Sequence, residues 1–364
     1  MPPLTAAAPL SRVNAQPAQS DPAVLNPLEH SDWEDLLATN PQSGFFHSSA
    51  WAKVLHESYG YTPRYFTVRE NGRLVALWPM MDVRSWLTGK RGVSLPFTDE
   101  CPPIFSDAAG AKRLTAQVTE EGRNRGWKYW EARGLNHFSD EMPASAAYYS
   151  HILNLAAGRD AIYERFKGSV RTAVRKAEKS GIETETSRSW EAVNAFYQLN
   201  CGTRQKHGLP PQPIDFFRCI YDNVLQKNLG TIVLGLHKKQ PISAAVFFHL
   251  GKKVIYKYGA SNEMFKELCA TNMVLWTAIQ QFIAEGRESF HFGRSAMDNE
   301  GLRKFKLGWA TEESTIKYVK YDFATNAFLK DEPETGGGWT TRVFNLMPQV
   351  LSRKVGALLY KHVA

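Results

Sequence analysis

The sequence predicts an α/β (α+β) protein: two tandem copies of one mixed-sheet unit, followed by an amphipathic C-terminal helix. Three observations carry this reading. The chain has 364 residues, more than one core usually holds. Two segments repeat the order hairpin, helix, strand. A Gly336-Gly337-Gly338 joint then separates a final apolar stripe from the rest. The expected division is a disordered tail over 1–25, a first unit over 26–157, a second over 158–330 that carries the chemistry, and an amphipathic helix over 339–364.

Met1 to Asp21 is rich in Ala, Pro, Ser and Gln and lacks the basic start and apolar run of a secretory signal. The first hairpin follows: Arg64 to Arg69 and Leu74 to Pro79 alternate β-formers around an Asn71-Gly72 turn. Leu114 to Arg123 reads as a helix ending in Glu121-Gly122-Arg123, and Trp127 to Arg133 as a strand. The second hairpin joins Thr231 to Leu236 and Pro241 to Phe248 through Lys238-Lys239-Gln240. Met273 to Arg287 reads as a helix ending in Glu285-Gly286-Arg287, and Ser289 to Arg294 as a strand. Each repeated glycine is placed as the left-handed helix stop.

Between the copies, Asp160 to Ser180 reads as one helix, with Asp160 as N-cap and Gly181 as stop. Its apolar face is Ile162, Phe166, Val170, Val174 and Ala177. Arg165, Lys167, Arg171, Arg175, Lys176 and Lys179 lie opposite and would suit phosphates. Arg204, with Lys206 and His207 in an expected loop before Pro210-Pro211, is a further anion-binding candidate. Past Glu334 no acid occurs, and Val343, Phe344, Met347, Val350, Leu351, Val355, Leu358 and Leu359 form a stripe flanked by Arg342, Arg353, Lys354 and Lys361. That helix either docks on the body or lies on an acidic membrane.

Hydrophobic residues make up 43% and charged residues 22% of the chain, which describes a globular protein rather than a disordered one. A net charge of +8 and a pI near 9.2 favour anionic partners. Cys101, Cys201, Cys219 and Cys269 show neither zinc-like spacing nor a C-x-x-C pair, so they read as reduced and no metal is expected. No stretch approaches the ~18–20 apolar residues of a membrane span. The expected location is the cytoplasm, with peripheral contact at the inner membrane face left open.

The segment Phe292 to Trp309 is the most site-like. A strand is expected to end at Arg294, a polar loop to follow, and a short helix to run from about Glu300 to Leu307, closed by Gly308. Loops at sheet-strand ends are where α/β folds place ligands.

Here the chain resembles the FemAB-type peptidyl- and acyl-transferases, including the branch linked to exopolysaccharide and cell-envelope biosynthesis. The resemblance covers nearly the whole folded chain. It runs through Gly44-Phe45-Phe46-His47-Ser48-Ser49-Ala50-Trp51, the basic helix with Arg171, Arg175, Lys176 and Gly181, and, most specifically, Phe292-Gly293-Arg294 with Arg303-Lys304-Phe305-Lys306 and Gly308. It implies a pair of GNAT-like domains. It also implies transfer from aminoacyl-tRNA or another activated acyl donor to an amine of an envelope precursor, with no permanently bound cofactor.

Attack of an amine on an ester or thioester passes through a tetrahedral oxyanion, and Lys306, in the family's Phe-Lys motif, is the candidate to stabilise it. Asp298 and Glu300 are candidate bases or helix caps. Arg294 and Arg303 are placed as a clamp for phosphate or carboxylate, with Phe305 beside them. Tyr256 and Tyr258, expected on one side of the strand Val254 to Gly259, would line the acceptor cleft.

The pattern is departed from in two ways. The Gln/Arg-x-x-Gly-x-Gly/Ala run that cradles acyl-CoA pyrophosphate is missing, as is the helical arm of some tRNA-using members. Acyl-CoA, acyl-carrier protein and aminoacyl-tRNA therefore all stay open as donors. The rival readings are a basic nucleic-acid-binding protein and an inactive scaffold of the same fold.

Overall fold

The structure is a computed structural model that describes residues 22–135, 142–330 and 348–362. Ala23–Leu25 (β1), expected in the tail, instead form a strand paired with Tyr65–Glu70 (β3). Asn71 and Gly72, at φ 51° and 76°, turn the chain into Arg73–Trp78 (β4), as the Asn-Gly signal predicts. With Ile104–Phe105 (β7), these strands make a four-stranded sheet in the order β1-β3-β4-β7.

The second sheet runs through both halves of the chain. Its order is Ile182–Ser187 (β10), Gly230–His237 (β11), Gln240–Leu250 (β12), Lys253–Ser261 (β13), Ser289–Ala296 (β14), Ala146–Asn154 (β9), Glu312–Asp322 (β15), Tyr129–Arg133 (β8), Gly89–Val93 (β6), Met81–Ser85 (β5) and Thr62–Pro63 (β2). Ala327–Phe328 (β16) pairs with β15. Strand β15, late in the chain, lies between β9 and β8 and stitches the two halves together. The mixed α/β architecture expected from the sequence is therefore present.

Helices cover these sheets. Trp33–Ala38 (α1) and Ser49–Tyr59 (α2) precede the first hairpin, and Ala108–Arg125 (α3) follows it. Gly122 does not stop α3. It is buried within the helix, where an added Cβ would lie 2.4 Å from the Phe323 ring, and Gly126 at φ 67° is the stop. Gly286, at φ 74°, does fill the expected role after Ala270–Ala284 (α8).

The basic stretch is two helices rather than one, Arg159–Arg165 (α4) and Gly168–Lys179 (α5), because Phe166 and Lys167 take extended ψ values of 143° and 147°. Gly158, not Asp160, occupies the N-cap. Its predicted apolar face is buried throughout. Trp190–Lys206 (α6) ends later than expected, so Arg204 and Lys206 are helical; Ile214–Ile220 (α7) follows.

Two cores flank the second half of the sheet. On one face α8 packs Val274, Leu275, Ile279 and Phe282 against Phe247, Phe290 and Phe292. On the other, α6 and α7 meet α2, so that Trp51 lies 6.0 Å from Phe216 and 5.7 Å from Phe248. Burial of such rings adds to the strand pairing that joins one half to the other.

Candidate active site

Strands β13 and β14 run parallel for three residue pairs, Lys253 with Ser289 to Ile255 with His291. Beyond them β13 stays on β12 and β14 stays on β9, so the two separate and leave a wedge. Both edges of the wedge are irregular. On β13 the register slips at Lys257; on β14 Phe292 and Gly293 fall out of register, with Gly293 at φ 72°. Backbone groups that would otherwise bond across the sheet thus face the wedge.

Helix α9 (Glu300–Leu307) places Lys306 there. The side chain is only 3% exposed, and its Nζ donates to the carbonyls of Gly293 at 2.7 Å and Arg294 at 2.9 Å. An ammonium has three N–H bonds, so one remains for a ligand. Burial lowers the Lys306 pKa to about 8, against the opposing charge of Asp99 and with Arg294 adding to the fall.

Asp99 faces this lysine from the first half of the chain. Its carboxylate accepts from Lys257 Nζ at 3.0 Å, and its carbonyl accepts from the Tyr318 hydroxyl at 2.6 Å. Burial alone would raise its pKa, but Lys257, Arg294 and His291 hold it below the usual carboxylate value. Gly293, at φ 72°, takes the left-handed conformation that suits glycine, and an added Cβ there would be in ordinary contact with the Asp99 carboxylate at 3.6 Å. The loop carrying Asp99 has Leu95 and Phe97 at φ 50° and 60°, held by Arg133, Ser94 and Thr98.

Arg294 closes one side. Its guanidinium lies 4.1 Å from the Tyr148 ring centroid, and Nη1 donates to the Tyr318 hydroxyl at 2.9 Å. Next to it the Gly293 amide donates to His291 Nδ1 at 2.9 Å, which leaves the ring proton on Nε2. That nitrogen meets Ser150 Oγ at 2.8 Å and Glu100 Oε1 at 3.3 Å. His291 and Glu100 also line a cavity of about 230 Å³ with Phe45, Phe46, Ile152 and Ile255, so the wedge has an apolar antechamber.

Other predicted residues land elsewhere. Asp298 is exposed on the turn before α9, and the carboxylate acting on Lys306 is Asp99. Asn299, not Glu300, caps α9; Glu300 pairs with Arg303. Arg303 is already matched: it grips Glu313 with two bonds of 2.8 Å and stacks 4.2 Å from the Tyr149 ring, so no clamp with Arg294 forms. Phe305 packs against Trp309 at the core edge.

The slip at Lys257 turns Tyr256 and Tyr258 to opposite faces. Tyr256 meets Phe247 and Phe292, and Tyr258 meets Phe196 and Phe217. Neither is the shared cleft wall that strict alternation predicts. Arg204 donates to the Tyr360 hydroxyl at 2.6 Å and braces the C-terminal segment. Lys176 pairs with Glu267 at 3.5 Å, Arg171 is half-buried, and Arg175 is exposed. Among the described residues no group of three or more His, Cys, Asp or Glu could hold a metal ion.

The family model described as an acetyltransferase (GNAT) domain matches residues 164–307, which include β13, β14 and α9. That stretch of the chain is similar to a GNAT domain. In solved structures the fold is similar to that of FemX, with 15% identity over 84% of this chain and 98% of that one, at a TM-score of 0.66. A tandem GNAT protein from the clavulanic acid biosynthesis pathway is 10% identical over 83% of this chain and 98% of its own, with a TM-score of 0.51. The C-terminal domain of an Agrobacterium fabrum protein named as a lysylphosphatidylglycerol synthetase aligns over 76% of this chain and 89% of its own. Its identity is 13% and its TM-score 0.53. Among curated proteins no sequence matches the chain. The fold that the resemblance implies is thus borne out, and the domain similarity spans residues 164–307.

Proposed function

We propose that this protein is an N-acyltransferase that moves an acyl or aminoacyl group from an activated donor to an amine of a cell-envelope or exopolysaccharide precursor. The second unit, residues 158–330, carries the chemistry, completed by Asp99 and Glu100. One observation carries the reading: a buried lysine at the wedge between β13 and β14 has two N–H bonds fixed on adjacent carbonyls and a third to spare.

In this reading the donor carbonyl enters the wedge, and its oxygen takes the spare N–H of Lys306. As the acceptor nitrogen attacks, the C–N bond forms and negative charge develops on that oxygen, where a fixed cation acts most strongly. Collapse breaks the donor's C–S or C–O bond, and the leaving group takes up the one proton that the attacking amine gives up through the Glu100–His291 pair. The acceptor amine approaches through the cavity beside Phe45 and Phe46, and its proton passes to the Glu100–His291 pair. Asp99, held ionised by Lys257, orients the attacking N–H rather than removing it. The reaction is placed on the cytoplasmic side, where such donors occur.

Acyl-CoA, acyl-carrier protein and aminoacyl-tRNA are the donor classes. The exposed cations Arg165, Lys167, Arg175 and Lys179 support a donor carried on RNA, and a steep salt dependence of tRNA binding would accompany it. The test is incubation of the pure protein with each donor pool, with and without amine acceptors, followed by mass spectrometry. One donor class should be consumed by the wild type and spared by Lys306→Met. Consumption of none, or equal consumption by both proteins, overturns the reading.

A further inference from the structure

The hairpin between β5 and β6 turns at Trp86 and Leu87, which are 84% and 53% exposed. A tryptophan presented this openly at a tip is uncommon on a soluble surface and marks contact with something else. The tip is not loose. Ser85 Oγ meets His362 Nδ1 at 2.9 Å, Thr88 Oγ1 donates to the His362 carbonyl at 2.9 Å, and buried Arg91 donates to the same carbonyl at 2.8 Å. The Trp86 ring itself lies 5.3 Å from the His362 ring.

His362 ends the segment that begins with the last described helix, Gln349–Leu359 (α10). That helix is docked on the body: Gly356 fits against the Pro211 carbonyl, where a Cβ would lie 2.1 Å away, and Arg353 donates to Gln198. Its outer face exposes Leu351 at 49% and Leu358 at 67%, two turns apart on one side, with exposed Lys354 between them and Lys361 beyond. Hairpin tip and helix face therefore form one margin, with four large apolar side chains among Arg84, Lys90, Lys354 and Lys361, all exposed.

Within the two segments themselves the charge is one-sided, and the acid beside them is exposed Asp215, which lines a pocket with Arg353 and Lys354. Between Gly72 and Thr98 the single acid is Asp82, which is 2% exposed and engaged by Arg84, Arg125 and Trp127; past Glu334 there is none. A protein partner would need a matching acidic face, whereas Trp and Leu interleaved with Lys and Arg is the chemistry of a bilayer interface rich in anionic headgroups. We infer that the Trp86–Leu87 turn and the outer face of 349–361 form a single docking surface for anionic lipid. The helix alone does not make this surface; the hairpin tip supplies its aromatic anchor. The surface is tied to the site, because the Tyr360 ring lies 5.7 Å from that of Phe97, two residues before Asp99.

The experiment is co-sedimentation of the full chain with phosphatidylcholine vesicles, with and without about one third phosphatidylglycerol. The wild type should bind the anionic vesicles, lose binding as salt rises, and bind the neutral vesicles far less. Trp86→Ser with Leu87→Ser, and separately Lys354→Glu with Lys361→Glu, should each weaken binding about tenfold or more. Melting curves confirm that the variants fold, and their turnover of a soluble acceptor should be unchanged. Failure of the wild type to bind anionic vesicles overturns the proposal. So does full binding by the Trp86/Leu87 variant, which would assign attraction to cations elsewhere. A dimer dissolved by the same substitutions, without vesicle binding, would make this a self-association face instead.

Discussion

The two copies of the hairpin–helix–strand unit use the same wedge in opposite ways. In the first, β6 and β8 run parallel through Gly92 with Trp130 and Val93 with Glu131 and then part, as β13 and β14 do in the second. The first wedge is filled by its own chain: Ser94 N donates to the Glu131 carbonyl and Cys101 N to that of Arg133. The second is left open and lined by Lys306 and Arg294. The filler of the first carries Asp99 and Glu100 into the second. In the proposed reading one copy is the support and the other the site, and neither half of that site is complete alone.

The largest way to break this comparison is Lys306→Met. It should lower kcat/KM for transfer by about 10²–10³-fold, as losing an oxyanion donor does, while a cooperative melt is kept. Asp99→Asn should follow with a loss of about ten- to a hundredfold, since Lys257 loses its counter-charge and the acceptor its orienting group.

The pH profile sharpens the assignment. With Lys306 titrating near 8 and acting as the cation, turnover should fall as pH rises through about 8, and a rate that rises there would make it a base instead. Stability moves the other way. The folded pKa is below the usual 10.5, so the unfolded chain holds the extra proton between the two values. This lysine's contribution to stability should therefore rise with pH across that window.

Glycines separate the copies more finely. Gly122→Ala, in the first copy, drives a Cβ into Phe323 and should cost about 1–3 kcal/mol of stability with turnover unchanged. Gly293→Ala, in the second, strains a φ of 72° by about 1–2 kcal/mol and moves the bulge that holds Lys306, so turnover should fall with it. The smallest effect is expected from Arg303→Lys, whose partner is Glu313 rather than substrate: the rate should stay within about twofold.

Much of the scaffold was legible because its signals are local. Asn71-Gly72 announces one hairpin, and the apolar face read over 160–180 announces the packing of α4 and α5. Lys306 was legible through the Phe-Lys motif. The rest of the site was not, because Asp99, Glu100, Ser150 and Tyr318 are distant in sequence and arrive by sheet topology. Their one local signal is an acid pair before Pro102-Pro103. Tyr256 and Tyr258 misled because one slipped residue reverses strand alternation. The repeated Glu-Gly-Arg misled because the same three residues are a cap in α8 and a packing gap in α3. Asp298 drew attention by proximity to Lys306 along the chain, whereas Asp99 is the acid that acts on it.

The claim that a plug from one copy completes the wedge of the other is tested most directly by a double-mutant cycle on transfer rate, using Asp99→Asn and Lys306→Met. If the two act on one reacting carbonyl and amine, the double variant should be scarcely slower than Lys306→Met alone. Multiplicative losses, with both single variants melting as the wild type does, would contradict it.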